Sequence, residues 1–179
     1  MFQNAGEKGI PHLDPEDPPR RRGNKRPGHG TFENDRPPIV GTVGRESGEV
    51  RMDVTERTDQ PTLEDHVEKT TQKGAAVNTD EWSGYARVEN LGRVHKTVSH
   101  NPSNPEWARD DDGDGIREVH CNTQEGIWTG VRNFLRPFRG VSKWYLRGYA
   151  AVFAWVHNEL GASPALLSRL LRCSSPEPA

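Results

Sequence analysis

Apolar residues are scarce in this chain of 179 residues: 31% are hydrophobic, and the mean hydropathy is −0.91. Such a composition builds a small core and leaves long exposed segments. The length fits one domain. Cysteine is nearly absent. Cys121 and Cys173 share no metal-ligand spacing, which argues against a disulfide framework and fits a reducing, cytoplasmic setting. Long apolar runs are missing too. The longest, from Tyr149 to Val156, is too short to span a bilayer, and the polar start has no signal-peptide pattern, so no membrane partner is expected. Phosphate-cradling glycine loops and a nucleophile elbow are also absent, so a P-loop enzyme and an acyl-transfer hydrolase are not supported. The seven histidines have no zinc spacing with another ligand. His120, just ahead of an acid-bearing helix, reads as a plain hydrogen-bonding residue or as a phosphate or metal contact.

Charge is present in both signs and nearly balances at −2. Its distribution is uneven. Arg20, Arg21, Arg22, Lys25 and Arg26 form one basic cluster, and Arg132, Arg136, Arg139, Lys143 and Arg147 form another. Each reads either as solvated surface or as a phosphate-backbone contact. In the second cluster Phe134, Phe138, Trp144 and Tyr145 interleave with the cations, which suits backbone contacts and base stacking on DNA. Arg132, Arg136, Arg139 and Lys143 are the candidate DNA-binding residues, facing out, with Phe134 and Tyr145 expected inside.

Residues 1–37 are rich in proline, glycine and charge and predict an extended arm. Residues 38–160 carry the regular pattern, and 161–179 read as a short amphipathic stretch with a disordered tail. Ile39 to Val43 and the alternating Val50 to Val54 predict two strands joined by a turn at Glu46-Ser47-Gly48. A helix is predicted to start at Pro61-Thr62 with acids in its first turn and to end at Gly74. Ala75 to Thr79 predicts a buried strand with Asp80 at its end, Trp82 to Glu89 a short helix, Val94 to Ser99 a strand, and 101–118 a polar loop. From Asn122 to Arg136, Ile127, Val131, Phe134 and Leu135 recur at helical spacing and leave Glu125, Thr129, Arg132 and Arg136 on the opposite face. Pro137 stops that helix. A last helix is predicted from about Ser142 to His157, with Tyr145, Tyr149, Val152, Phe153 and Val156 on one side.

Two acids are placed for shared chemistry. Asp80 ends a strand, and Glu125 rides a later helix; a strand end and a helix face can offer hard carboxylate oxygens to one divalent cation. On spacing alone both also read as solvated surface. Asp110-Asp111-Asp112-Gly113-Asp114-Gly115 opens like a calcium-binding EF-hand loop, but Cys121 stands where the closing glutamate belongs. A solvated acidic loop is the simpler reading.

Three blocks together are more specific. They are Asn78-Thr79-Asp80-Glu81-Trp82-Ser83-Gly84-Tyr85, then Val119-His120-Cys121-Asn122-Thr123-Gln124-Glu125-Gly126-Ile127-Trp128, then Arg139 to Leu146 with Phe153 and His157-Asn158. In order and spacing they resemble the catalytic domain of bacterial insertion-sequence DDE transposases, in the branch that carries a zinc ribbon ahead of that domain. The resemblance runs from about residue 2 to about residue 160. It implies an α/β, ribonuclease-H-like mixed sheet flanked by helices, and DNA cleavage and strand transfer dependent on Mg²⁺ or Mn²⁺. Its partners would be transposon ends and target DNA, and a second copy or a full-length transposase.

Carried over by position, Asp80 matches the family's second catalytic Asp and Glu125 its catalytic Glu, both as metal ligands. The family's first Asp belongs just ahead of a segment like Phe2 to Gly9, where this sequence has Met1. The resemblance thus implies a truncated transposase, with the first strand largely missing and inactive alone. Two alternatives stay open: a DNA-binding or transposase-pairing relic, and an active enzyme whose start was called too late.

Overall fold

The computed structural model describes residues 30–33 and 36–159. The expected arm therefore lies almost wholly outside the described residues, as do the stretch 165–171 and the tail. The described chain is mixed α/β. Strands β1 (Ile39–Val43) and β2 (Val50–Val54) pair antiparallel, with Gly41 opposite Met52. The predicted turn closes them. Gly48, at φ 69°, donates its N–H to the Gly44 carbonyl at 2.8 Å, a left-handed conformation that glycine adopts without a Cβ penalty.

Helix α1 spans Gln60–Thr70. It starts earlier than expected because Asp59 caps it, accepting from the Thr62 N–H at 3.2 Å and the Thr62 hydroxyl at 2.6 Å. With that start the first turn holds no acid. Glu64 and Asp65 fall one turn on, where Asp65 pairs with Lys69 at 2.6 Å. The helix also stops before Gly74. The hydroxyls of Thr70 and Thr71 turn back onto the carbonyls of His66 and Val67, and Gly74, at φ 81°, leads the chain onward. Buried Arg93 holds the same end, giving hydrogen bonds to the Thr71 carbonyl at 2.7 Å and the Glu68 carbonyl at 3.2 Å. A cation there also suits the negative end of the helix dipole.

Strands β3 (Ala76–Asp80) and β4 (Val94–Val98) pair in parallel. The expected helix between them resolves into two 3-10 turns, Ser83–Tyr85 and Val88–Leu91. Gly92, at φ 74°, ends the second. The polar loop that follows contains a two-residue strand, β5 (Ala108–Arg109), paired with β6 (Val119–His120). Pairs this short leave no periodicity to read. The described strands form three separate two-stranded sheets, so the single mixed sheet expected from the sequence is not seen among them.

Helix α2 runs Asn122–Leu135 and buries Ile127, Val131 and Leu135, with Phe134 half-buried. A 3-10 turn through Pro137 carries the chain on as far as Phe138. Helix α3 spans Leu146–Glu159 and starts later than expected, because residues 142–145 form a turn closed by the Tyr145 N–H on the Ser142 carbonyl. Its buried face is rotated from the expected one. Leu146 and Ala150 are deepest and Tyr149 and Phe153 pack beside them, while Tyr145 is 63% exposed and Val152 and Val156 face solvent. Ala150 is small enough for the helix to settle on β2.

The hairpin therefore has two occupied faces. Ile39, Val43, Val50, Met52 and Val54 meet α2 and α3 in the main core. On the other face Thr42 and Asp53 meet His66 of α1. Asn158 ties α3 to β2, its amide pairing with the N–H and C=O of Val50 at 2.7 and 3.0 Å. Among the described residues no helix is long and apolar enough to cross a membrane.

Candidate metal and DNA site

Asp80 closes β3, and its side chain turns the chain there. One carboxylate oxygen accepts the Trp82 N–H at 3.1 Å, an Asx-type turn that ends the strand. Next door, the Glu81 carboxylate accepts the His100 N–H at 2.7 Å. That bond holds Glu81 below the usual carboxylate range and ties the end of β3 to the end of β4.

Glu125 comes from the first turn of α2, where a negative charge suits the helix dipole. Gly41 lets α2 lie close over β1. A Cβ there would stand 2.9 Å from the Trp128 ring and 3.1 Å from the Gln124 amide nitrogen. The Glu125 carboxylate lies 3.7 Å from the His100 imidazole, an electrostatic contact longer than a hydrogen bond.

Cys121, at the N-cap of α2, lies within electrostatic reach of both acids. Burial pushes its thiol up to about 11, and the charges of Asp80 and Glu125 add to the shift. Tyr85, pushed up to about 12 by burial and then by Asp80, borders the same cluster. In the segments that carry the acids, four buried polar atoms have no hydrogen-bond partner: Asn78 Oδ1, His120 Nδ1 and both amide atoms of Gln124. Burial and the nearby Arg45 hold His120 below the usual histidine range.

Glu125, Thr129, Arg132 and Arg136 follow one another along a single face of α2, and all four are exposed, as the helical spacing predicts. Arg139 is exposed as well, in a left-handed turn at φ 53°. Lys143 stands elsewhere. Its ammonium sits over the rings of Phe32 and Trp144, at 4.7 and 5.1 Å from their centroids, beside a cavity of about 230 Å³ that Val54 and Arg147 also line.

The acidic loop closes on itself. Asp110 accepts from the N–H groups of Gly113 and Gly115 at 2.6 and 2.9 Å, which holds its carboxyl below the usual range. Oxygens of Asp110, Asp112 and Glu118 lie within 4.8 Å of one another. Glu118 joins them from outside the Asp-Gly run, so the motif alone could not flag it. Glu118 and Asp111 also pair with Lys96, at 3.2 and 2.9 Å.

The sequence reading missed His100, Trp107 and Glu81 as neighbours of the acid pair. Trp107 is 57% exposed, and its ring lies 4.9 Å from that of His100. The bridge between Ser99 and Glu106 brings them together, and nothing local in the sequence announces that pairing.

Comparison with known proteins agrees with the residue blocks. No curated protein matches the chain. Residues 12–158 match the ISXO2-like transposase domain. That match covers most of the chain, which therefore belongs to this family of insertion-sequence DDE transposase domains.

Proposed function

We propose that this chain is a DNA-handling transposase catalytic domain of ribonuclease-H-like design, in which Asp80 and Glu125 hold Mg²⁺ or Mn²⁺ against DNA. The single observation carrying this reading is the match of residues 12–158 to the ISXO2-like transposase domain, within which Asp80, at the end of a strand, and Glu125, in the first turn of a helix, both fall. Hard oxygen donors in a negative field suit a hard divalent cation. The orphaned polar atoms of Asn78, His120 and Gln124 support a polar or ionic occupant nearby. When bound, the cation would activate a nucleophilic oxygen or stabilise a leaving one. The protein's own part is to hold the carboxylates apart on a strand end and a helix, and to bring DNA to them. The exposed stripe of Thr129, Arg132 and Arg136 continues from Glu125 along α2 and suits a phosphate backbone running toward the acids.

The test is to incubate the chain with transposon-end DNA and Mg²⁺ or Mn²⁺. Binding that the cation strengthens and that Asp80→Ala reduces is expected. Binding indifferent to both the cation and Asp80→Ala would overturn the metal-site reading. Arg132→Ala with Arg136→Ala should weaken duplex binding and lower its salt slope by about two. Unchanged binding would sink the DNA face.

A further inference from the structure

Trp107 is a large apolar ring in a polar surface loop, and it contributes little to the core. It is 57% exposed, while Asn101 to Pro105 before it are all solvent-facing. An indole this exposed has not been placed by burial, which would reward a hidden ring far more. Its position is nevertheless fixed. The Glu106 N–H donates to the Ser99 carbonyl at 2.7 Å, and Ala108 pairs with His120 across the β5–β6 ladder. Both neighbours of Trp107 are thus held by backbone bonds.

The ring lies at a shallow angle, 31°, on the imidazole of His100. That imidazole stands 3.7 Å from Glu125, and its backbone N–H is held by Glu81. Trp107 is therefore one side chain away from the candidate metal ligands, on a rigid mount, with more than half its surface open. Arg45 lies on the same side of the molecule, fixed to the carbonyls of Glu118 and His120, and its charge reaches Cys121.

We infer that Trp107, backed by His100, is a stacking platform for an unpaired nucleobase next to the phosphate that a cation on Asp80 and Glu125 would hold. The ligand class is a single-stranded DNA end, and the contact is insensitive to sequence because every base offers a π-face. This rests on the proposed DNA-handling function and assigns it a positioning residue. Trp107 touches a base and not the reacting phosphate, so its role is to set which phosphate reaches the acids.

The experiment uses the full chain and two duplexes, one blunt and one with a single-stranded overhang. A 2-aminopurine is placed at each overhang position in turn. Binding should quench the probe strongly at one position. Trp107→Ala should abolish that quench and weaken overhang binding by about tenfold, leaving blunt-duplex affinity unchanged. Trp107→Phe should restore most of both. A quench that survives Trp107→Ala, or an equal loss on blunt and overhang DNA, would overturn the platform while leaving the DNA-handling function in place. A parent chain that binds neither duplex would overturn both.

Discussion

The His66 ring, buried beneath α1, places Nδ1 2.9 Å from a carboxylate oxygen of Asp53 and Nε2 3.0 Å from the Thr42 hydroxyl. One imidazole thus joins α1 to both strands of the hairpin. With Asp53 accepting, Nδ1 carries a proton, and Nε2 shares a hydrogen bond with the Thr42 hydroxyl. His66→Leu keeps an apolar body of similar size but removes both ring hydrogen bonds, leaving the Thr42 hydroxyl with Thr70 alone. It should lower stability by about 1–3 kcal/mol, seen as a lower urea midpoint at unchanged slope. No shift in the midpoint would mean that the tether contributes nothing.

The seat of α2 depends on Gly41. Gly41→Ala puts a methyl group at 2.9 Å from the Trp128 ring and 3.1 Å from Gln124, so the indole must shift to admit it. The expected cost is about 1–3 kcal/mol. Because Glu125 rides the same helix turn as Gln124, metal affinity should fall with stability. Gly48→Ala is the control: a Cβ there meets nothing, but its φ of 69° strains alanine, so it should lose stability without changing metal affinity.

Cys121 gives a pH dependence with a definite sign. Its thiol is pushed up to about 11, first by burial and then by Asp80 and Glu125. In the unfolded chain it ionises near its ordinary value of about 8.5. The folded state therefore holds its proton longer. The resulting stability is complete below the unfolded value and is lost as pH rises toward 11, by up to about 3 kcal/mol. Tyr85 extends the loss toward 12. Cys121→Ala should flatten the first part of the curve. In a Cys173→Ser chain at pH 8, alkylation of Cys121 should be slow, and Asp80→Asn or saturating Mg²⁺ should speed it by relieving negative charge. An alkylation rate indifferent to both would separate Cys121 from the acid pair.

Much of this was legible in the chain. The alternation in Val50 to Val54 and the stripe Ile127, Val131, Leu135 reported real elements, because a half-buried strand and a helix face impose those periods directly. The exposed side of α2 followed from the same spacing. What the sequence hid was tertiary. Arg93 looks like a surface cation until its guanidinium is seen closing the end of α1. Tyr145 looks like core until the start of α3 is fixed four residues later than expected. Trp107 reaches His100, the neighbour of Glu125, because Ser99 and Glu106 bridge across a loop, a pairing that leaves no periodic trace.

The central claim is that Asp80 and Glu125 act as one cation site, and Mn²⁺ titration of the full chain, followed by calorimetry, tests it most directly. Asp80→Asn and Glu125→Gln should each weaken the same binding event, and the double variant should lose little more than either alone. Asp110→Asn, in the acidic loop, should leave that event intact. Binding that survives both site variants and disappears with Asp110→Asn would contradict the account.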